Sequence, residues 1–293
     1  MFFRNAVAAA GTALVAASTV SAQGNVNSEI AEAVLKYGAQ GLLPGVVNQT
    51  DTNVSSALIL SFGGQNATVG RSFTLPADDA TLKQTPEYQL DVPSTLAAQY
   101  AQENFTAMLV DPGAAGQILG GSLVTRHYLA NNLKYEGGRL TNSTPAIQSY
   151  VEPGPAAGSG AHRYMALVFA QGSDFEAPEG LNAPGVQLSN MTLSEYIDES
   201  NIGKIVALSY ITVEDTSQGE QTFSTTSAVP SASVEAVASH LSQSIAGSPT
   251  AAASGSSGSG GSSGAASFGV KGSTLAVAGS LAAAAMLGFL VVV

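Results

Sequence analysis

The chain has 293 residues, with 10 basic and 21 acidic side chains, a formal charge of −11, and no cysteine. The absent thiols exclude disulfides, cysteine-type zinc sites and thiol catalysis. The acidic balance sets the surface against nucleic acid and anionic headgroups at long range.

At the N-terminus Arg4 is a short basic region, Ala6 to Ala17 is a small-to-apolar run, and Val20-Ser21-Ala22 has the small-x-small pattern of a cleavage site. Residues 1–22 therefore read as a signal peptide rather than a retained anchor, because the apolar run is short and rich in alanine. Ser28 to Tyr37 then reads as a short amphipathic helix. Ser28 is its expected N-cap, Glu29 and Glu32 favour its first turn, Gly38 ends it, and Ile30, Val34 and Leu35 share a face.

Beyond this helix the hydrophobic period changes. Apolar runs at Ala57–Phe62, Arg71–Leu75, Phe105–Val110, Leu123–Ala130, Arg163–Ala170 and Lys204–Val213 are separated by glycine- and proline-rich turns. Short strands without long helices between them predict a mainly β fold, an antiparallel β-sandwich with a few short peripheral helices. One of these helices is expected to start at the capping box Thr192-Leu193-Ser194-Glu195.

The folded domain is expected to span 23–215. A Ser/Thr/Gly/Ala-rich stalk over 216–264 follows, and within it Val234, Val237, Leu241 and Ile245 mark one amphipathic helix. His240 falls in this stalk as a solvated residue. An apolar run, Leu275 to Val293, closes the chain behind a small-residue stretch. This is the pattern of a glycosylphosphatidylinositol (GPI) signal, with attachment at Gly264 and residues 265–293 removed. A transmembrane tail is the alternative, since the run is long enough to span a bilayer. Without Arg4 and Lys271 the mature chain keeps 8 basic against 21 acidic residues, a formal charge of −13. Six Asn-x-Ser/Thr sequons, at Asn48, Asn53, Asn66, Asn104, Asn142 and Asn190, are candidate glycan acceptors in an exported chain.

Three segments carry candidate chemistry. Phe105 to Gly113 is an apolar strand ending in Asp111-Pro112, where proline stops the ladder. Thr125 to Asn131 is a strand that contains His127 followed by Tyr128. Pro153 to Phe169 is a Pro/Gly loop, with Gly158-Ser159-Gly160, that leads into His162-Arg163-Tyr164. Taken together, the Asp-Pro strand end, the histidine–aromatic pair and Gly-x-Gly-x-His-Arg-Tyr resemble the phosphatidylethanolamine-binding protein family, over roughly Val54 to Asp215. The resemblance implies a β-sandwich that binds phosphate-like anions at one end of the sheet. It implies Asp111, His127, Gly160, His162 and Tyr164 as the ligand-binding residues. Two departures stand out: Gly113 where the family usually has a second aspartate, and Tyr128 where it usually has tryptophan.

The chemistry agrees with that implication. Imidazole N–H groups, a phenol hydroxyl and closely approaching glycine backbone are donors for an anion, with Asp111 orienting an imidazole. The expectation is a non-catalytic cell-surface module for a small anion or phospholipid headgroup, with no cofactor and no nucleic-acid partner. The alternative is a secreted peptidase inhibitor or another protein-binding regulator. A metal enzyme built on Asp111 and two histidines, or a serine hydrolase, ranks last, because Gly-Ser-Gly at 158–160 is not the Gly-x-Ser-x-Gly elbow.

Overall fold

A computed structural model describes residues 10–114, 121–142, 144–220 and 229–246. The strands are β1 (Ala57–Phe62), β2 (Gln65–Ala67), β3 (Arg71–Leu75), β4 (Glu87–Asp91), β5 (Phe105–Asp111), β6 (Leu123–Glu136), β7 (Arg139–Thr141), β8 (His162–Ala170), β9 (Ser189–Thr192) and β10 (Ile205–Asp215). The helices are α1 (Ala10–Ala39), α2 (Asp79–Leu82), α3 (Ala97–Tyr100), α4 (Leu193–Ser200) and α5 (Ser231–Ala246).

The strands join in the order β2-β1-β4-β7-β6-β5-β8-β10-β3, and β9 adds to β6. Pairing is antiparallel except for β3 along β10. The 14-residue β6 carries the sheet around a corner: its first half pairs with β5 and its last residues pair with β7. The change falls at Asn132, held at φ 58°, a left-handed conformation that asparagine tolerates better than most residues. The sheet nearly closes, because the N–H groups of Ser55 and Ser56, just before β1, both donate to the Val206 carbonyl on β10. The mainly β fold with few helices is the one expected, but a single, nearly closed, barrel-like sheet takes the place of two clearly separate layers.

β5, β8 and β10 explain that closure. Every residue of β5 is buried, as expected for a strand covered on both faces. Phe105, Ala107 and Leu109 face an interior cluster with Leu60, Tyr88, Ala166 and Val168. Met108 and Val110 face a second cluster, with Tyr37 of α1 and Leu193 and Tyr196 of α4. Tyr37 is fully buried and its hydroxyl donates to the Ser209 carbonyl, which fixes α1 across the sheet.

Two helix expectations change. Ser28 is not an N-cap: one helix runs from Ala10 to Ala39, through 10–22 of the expected signal segment and past Gly38. Alanine has the highest helix propensity of any residue type, and the alanine-rich stretch upstream of Ser28 extends the helix backwards. Thr192 does occupy the N-cap position of α4, but its side chain makes no capping bond. Contacts with Ser122 position this helix start instead: Leu193 N–H donates to the Ser122 carbonyl at 2.8 Å, and the Ser122 and Ser194 hydroxyls lie 2.6 Å apart.

The amphipathic helix expected around Val234 to Ile245 is α5. Val237, Ala238 and Leu241 pack on Val26, Ile30 and Ala31 of α1, and Asn27 Nδ2 donates to Ser242 Oγ at 2.8 Å. No helix among the described residues is long and apolar enough to cross a membrane. Residues 1–9 of the expected signal peptide, Gly264 and the tail 265–293 lie outside the described residues.

Candidate anion site

β5 ends at Asp111, and its two neighbours, β6 and β8, bring the two histidines to that end of the sheet. Pairing with β6 slips beside the site: Leu109 lies opposite Tyr128, whereas Val110 lies opposite Arg126. His127 is therefore the extra residue of a β-bulge, a device that re-aims a side chain out of the regular alternation. Its ring Nδ1 lies 3.0 Å from the Val151 carbonyl. That contact makes Nδ1 the protonated nitrogen of the neutral ring.

His162 opens β8. Its Nδ1 lies 2.8 Å from Asp111 Oδ2, with the carboxylate side chain only 9% exposed and the imidazole 20%. The other carboxylate oxygen accepts the Gly113 N–H at 2.7 Å. Gly113, where an aspartate is usual in the family, thus contributes a backbone donor that holds Asp111 in place. On the far side of the ring, His162 Nε2 lies 3.0 Å from Ser159 Oγ. Asp111, His162 and Ser159 therefore form one hydrogen-bonded line. Ser159 Oγ also donates to the Ala156 carbonyl at 2.6 Å.

Tyr164, two residues along β8, is 1% exposed. It meets the edge of His127 at 5.1 Å between ring centroids and stacks over His162 at 6.5 Å. Burial raises its phenol well above the usual range, with the Asp111 charge adding to the effect and a hydrogen bond with the Gly154 backbone opposing it. It remains a neutral hydroxyl. His127 moves the other way: burial lowers its imidazole below the ordinary value, against the opposing effect of its backbone bonds and of Asp111. Gly160 is buried at φ 83°, a conformation that glycine adopts without strain and that carries the loop into His162.

All five residues singled out in the sequence therefore converge on one end of the sheet. Asp111 orients His162 rather than His127. Tyr128, at the second departure from the family pattern, stacks on Tyr88 at 5.7 Å and is pushed up to about 12 by burial. No group of three histidine, aspartate or glutamate side chains among the described residues is placed to hold a metal.

Sequence reasoning missed two residues here. In the sequence Ser159 stands only within Gly-Ser-Gly, which is not a nucleophile elbow; its three-residue spacing from His162 is the available signal. Arg163 is 1% exposed. Its guanidinium donates to the carbonyls of Gly113 at 3.2 Å, Ala114 at 3.0 Å and Gln40 at 2.7 Å. It thereby pins the turn after Asp111 to the end of α1. Among the sequons, Asn48, Asn53, Asn66, Asn142 and Asn190 are exposed and Asn104 is half-buried.

Fold and site together define a β-sheet protein that gathers two imidazoles, a phenol and an orienting carboxylate at one end of its sheet. The family model described as phosphatidylethanolamine-binding protein matches residues 39–211, and the chain belongs to that family. No curated protein matches it. Among solved structures, it is similar to a carboxypeptidase Y inhibitor complexed with its cognate proteinase, at 19% identity and a TM-score of 0.49, covering 65% of this chain and 96% of that one. It is also similar to the phosphatidylethanolamine-binding protein of Plasmodium vivax, at 14% identity and a TM-score of 0.40, over 61% of this chain and 95% of that one. The Plasmodium falciparum protein gives 15%, 0.40 and the same coverage.

Proposed function

We propose that this chain is a non-catalytic cell-surface module that binds a small oxyanion of the kind carried by phosphorylated lipid headgroups. The observation that carries this reading is the His162–Asp111 pair at 2.8 Å. A carboxylate behind Nδ1 orients the ring, so that Nε2 is the nitrogen left to meet a ligand. The Tyr164 ring stacks over His162, and the His127 ring meets the Tyr164 ring edge-on. Asp111 turns its two oxygens to His162 Nδ1 and to the Gly113 N–H, so both are engaged within the protein.

Calorimetric titration of inorganic phosphate and of phosphoethanolamine at pH 5.5 and 7.5 tests the reading. Binding is expected to be tighter at pH 5.5, since His127 can donate from Nε2 only when protonated. An absence of heat at both pH values, or unchanged binding in His162→Ala, would sink it. A peptidase inhibitor is the competing reading. It predicts loss of carboxypeptidase activity on addition of the chain, whether or not phosphate is present.

Export, glycosylation at the six sequons and GPI attachment at Gly264 complete the proposal. The exposure of five sequon asparagines supports the glycan part. Release of the protein from cells by phosphatidylinositol-specific phospholipase C checks the anchor. Retention after treatment would favour the transmembrane tail.

A further inference from the structure

His162 has two nitrogens, and Asp111 holds one of them at 2.8 Å. Only Nε2 is left for a ligand, and Ser159 Oγ already stands 3.0 Å from it. The serine hydroxyl has a single proton, and the 2.6 Å contact with the Ala156 carbonyl takes it. Towards the imidazole, Ser159 therefore presents a lone pair, as an anionic ligand oxygen would. The same geometry argues against a nucleophilic serine, whose proton would have to point at the imidazole.

We propose that Ser159 is a built-in occupant of the anion site: its Oγ holds the place of a ligand oxygen on His162 Nε2, and ligand binding requires its displacement. This inference rests on the anion-binding reading above and adds what sets the affinity. Ser159 lies between two glycines with positive φ, Gly158 at 79° and Gly160 at 83°, so the backbone on both sides can re-orient at little steric cost. Ser159 is also only half-buried, which gives an incoming molecule access to it.

The inference specifies the ligand chemistry. Whatever replaces Ser159 must offer an acceptor oxygen to an N–H donor. A phosphate or phosphomonoester oxygen qualifies, and the ammonium group of ethanolamine does not. Exchanging a neutral hydroxyl oxygen for a charged one strengthens the hydrogen bond to the ring N–H. The ligand gains the difference between those two bonds rather than the whole of the new one.

The test is calorimetric titration of the full chain at pH 6.0 with inorganic phosphate, phosphoethanolamine and ethanolamine. Wild type, Ser159→Ala and Ser159→Thr are compared. Removing the occupant saves the ligand about one hydrogen bond of competition, so Ser159→Ala is expected to bind phosphate and phosphoethanolamine roughly tenfold more tightly. Ser159→Thr keeps the hydroxyl and is expected to stay near wild type. Ethanolamine is expected to give no heat with any of the three. Equal or tighter binding of phosphoethanolamine relative to phosphate identifies a headgroup site, and preference for phosphate identifies a free-anion site.

Binding by wild type that is unchanged or weakened in Ser159→Ala overturns the occupant role and leaves the anion site standing. Failure of all three proteins to bind any anion overturns both. Ser159→Gly, in a stretch already flanked by glycines, is the second variant if the alanine protein does not fold. A 15N shift of His162 Nε2 between ligand-free wild type and Ser159→Ala or Ser159→Gly is also expected, and its absence counts against the contact.

Discussion

The bond between Asp111 and His162 can be measured on its own. At 2.8 Å, with the carboxylate side chain 9% exposed, the pair is largely screened from water. A hydrogen bond with a charged partner contributes about 1.5–3 kcal/mol net in such a setting. Asp111→Ala removes this bond and also strands the Gly113 N–H, which donates to the second carboxylate oxygen at 2.7 Å. The unmet donor adds about 1–3 kcal/mol, so the truncation is expected to cost roughly 3–5 kcal/mol. Asp111→Asn keeps an oxygen for Gly113 and loses mainly the charge. A double-mutant cycle of Asp111→Asn with His162→Asn therefore isolates the pair. Urea unfolding at pH 6.0, with m-values compared across the four proteins, is expected to give a coupling of about 1.5–3 kcal/mol. A coupling below about 0.5 kcal/mol, the scatter of additive sites, would refute the idea that Asp111 fixes this imidazole.

Three further outcomes concern His127, Gly203 and Tyr88. Burial lowers His127 below the ordinary imidazole value near 6.5. The unfolded chain therefore takes up the proton first, so the stability that neutral His127 gives is present above 6.5 and is lost as pH falls through the lowered folded value. Thermal unfolding from pH 7.5 to 5 should show a steeper decline in wild type than in His127→Gln, and parallel curves would exclude the linkage. Gly203 sits at φ 63°, and a Cβ there would collide with the Ala170 carbonyl oxygen. Gly203→Ala should cost about 2–4 kcal/mol from left-handed strain plus the clash, read as a fall in Tm of roughly 5–15 °C, and an unchanged Tm would contradict the close approach. The Tyr88 hydroxyl is buried without a hydrogen-bond partner. Tyr88→Phe should be neutral or stabilising by up to about 1 kcal/mol, whereas a loss above 1 kcal/mol in chemical denaturation would reveal a partner.

The strands legible in the sequence are those whose burial is written in their side chains. Ala57–Phe62 and Arg71–Leu75 stand where their apolar runs place them, and the runs of β5, β8 and β10 shift by one or two residues at their ends. β2, with Gln65-Asn66-Ala67, and β9, with Ser189-Asn190-Met191-Thr192, carry no such signal. They are strands because β1 and β6 offer them free edges, and strand propensity depends on context in this way. β4 is different: Tyr88 and Leu90 alternate inward between polar neighbours, a period-2 pattern that could have been read. The mainly β expectation holds, and the separation into two layers gives way at β6. Nothing in Leu133 to Glu136 announces that β6 continues past Asn132 and turns the sheet around.

At the site, local chemistry was legible and geometry was not. Asp111 before Pro112 ends a strand and a Gly/Pro loop leads into His162, but that the two share one site is what the family resemblance implies, not what composition shows. Which histidine the carboxylate would meet depends on a bulge at His127 that no residue there advertises. Nor does the sequence show that Arg163, which reads as a surface charge beside a histidine, is buried against three carbonyls. Ser159 shows the limit most clearly. Read as a motif, Gly-Ser-Gly is judged by whether it makes a nucleophile. Placed in space, its oxygen matters for where it sits: on the one imidazole nitrogen that Asp111 leaves open. On the proposed anion-binding reading, a hydroxyl there competes with the ligand for the same proton, and a residue that looks like a spacer sets how tightly the site binds.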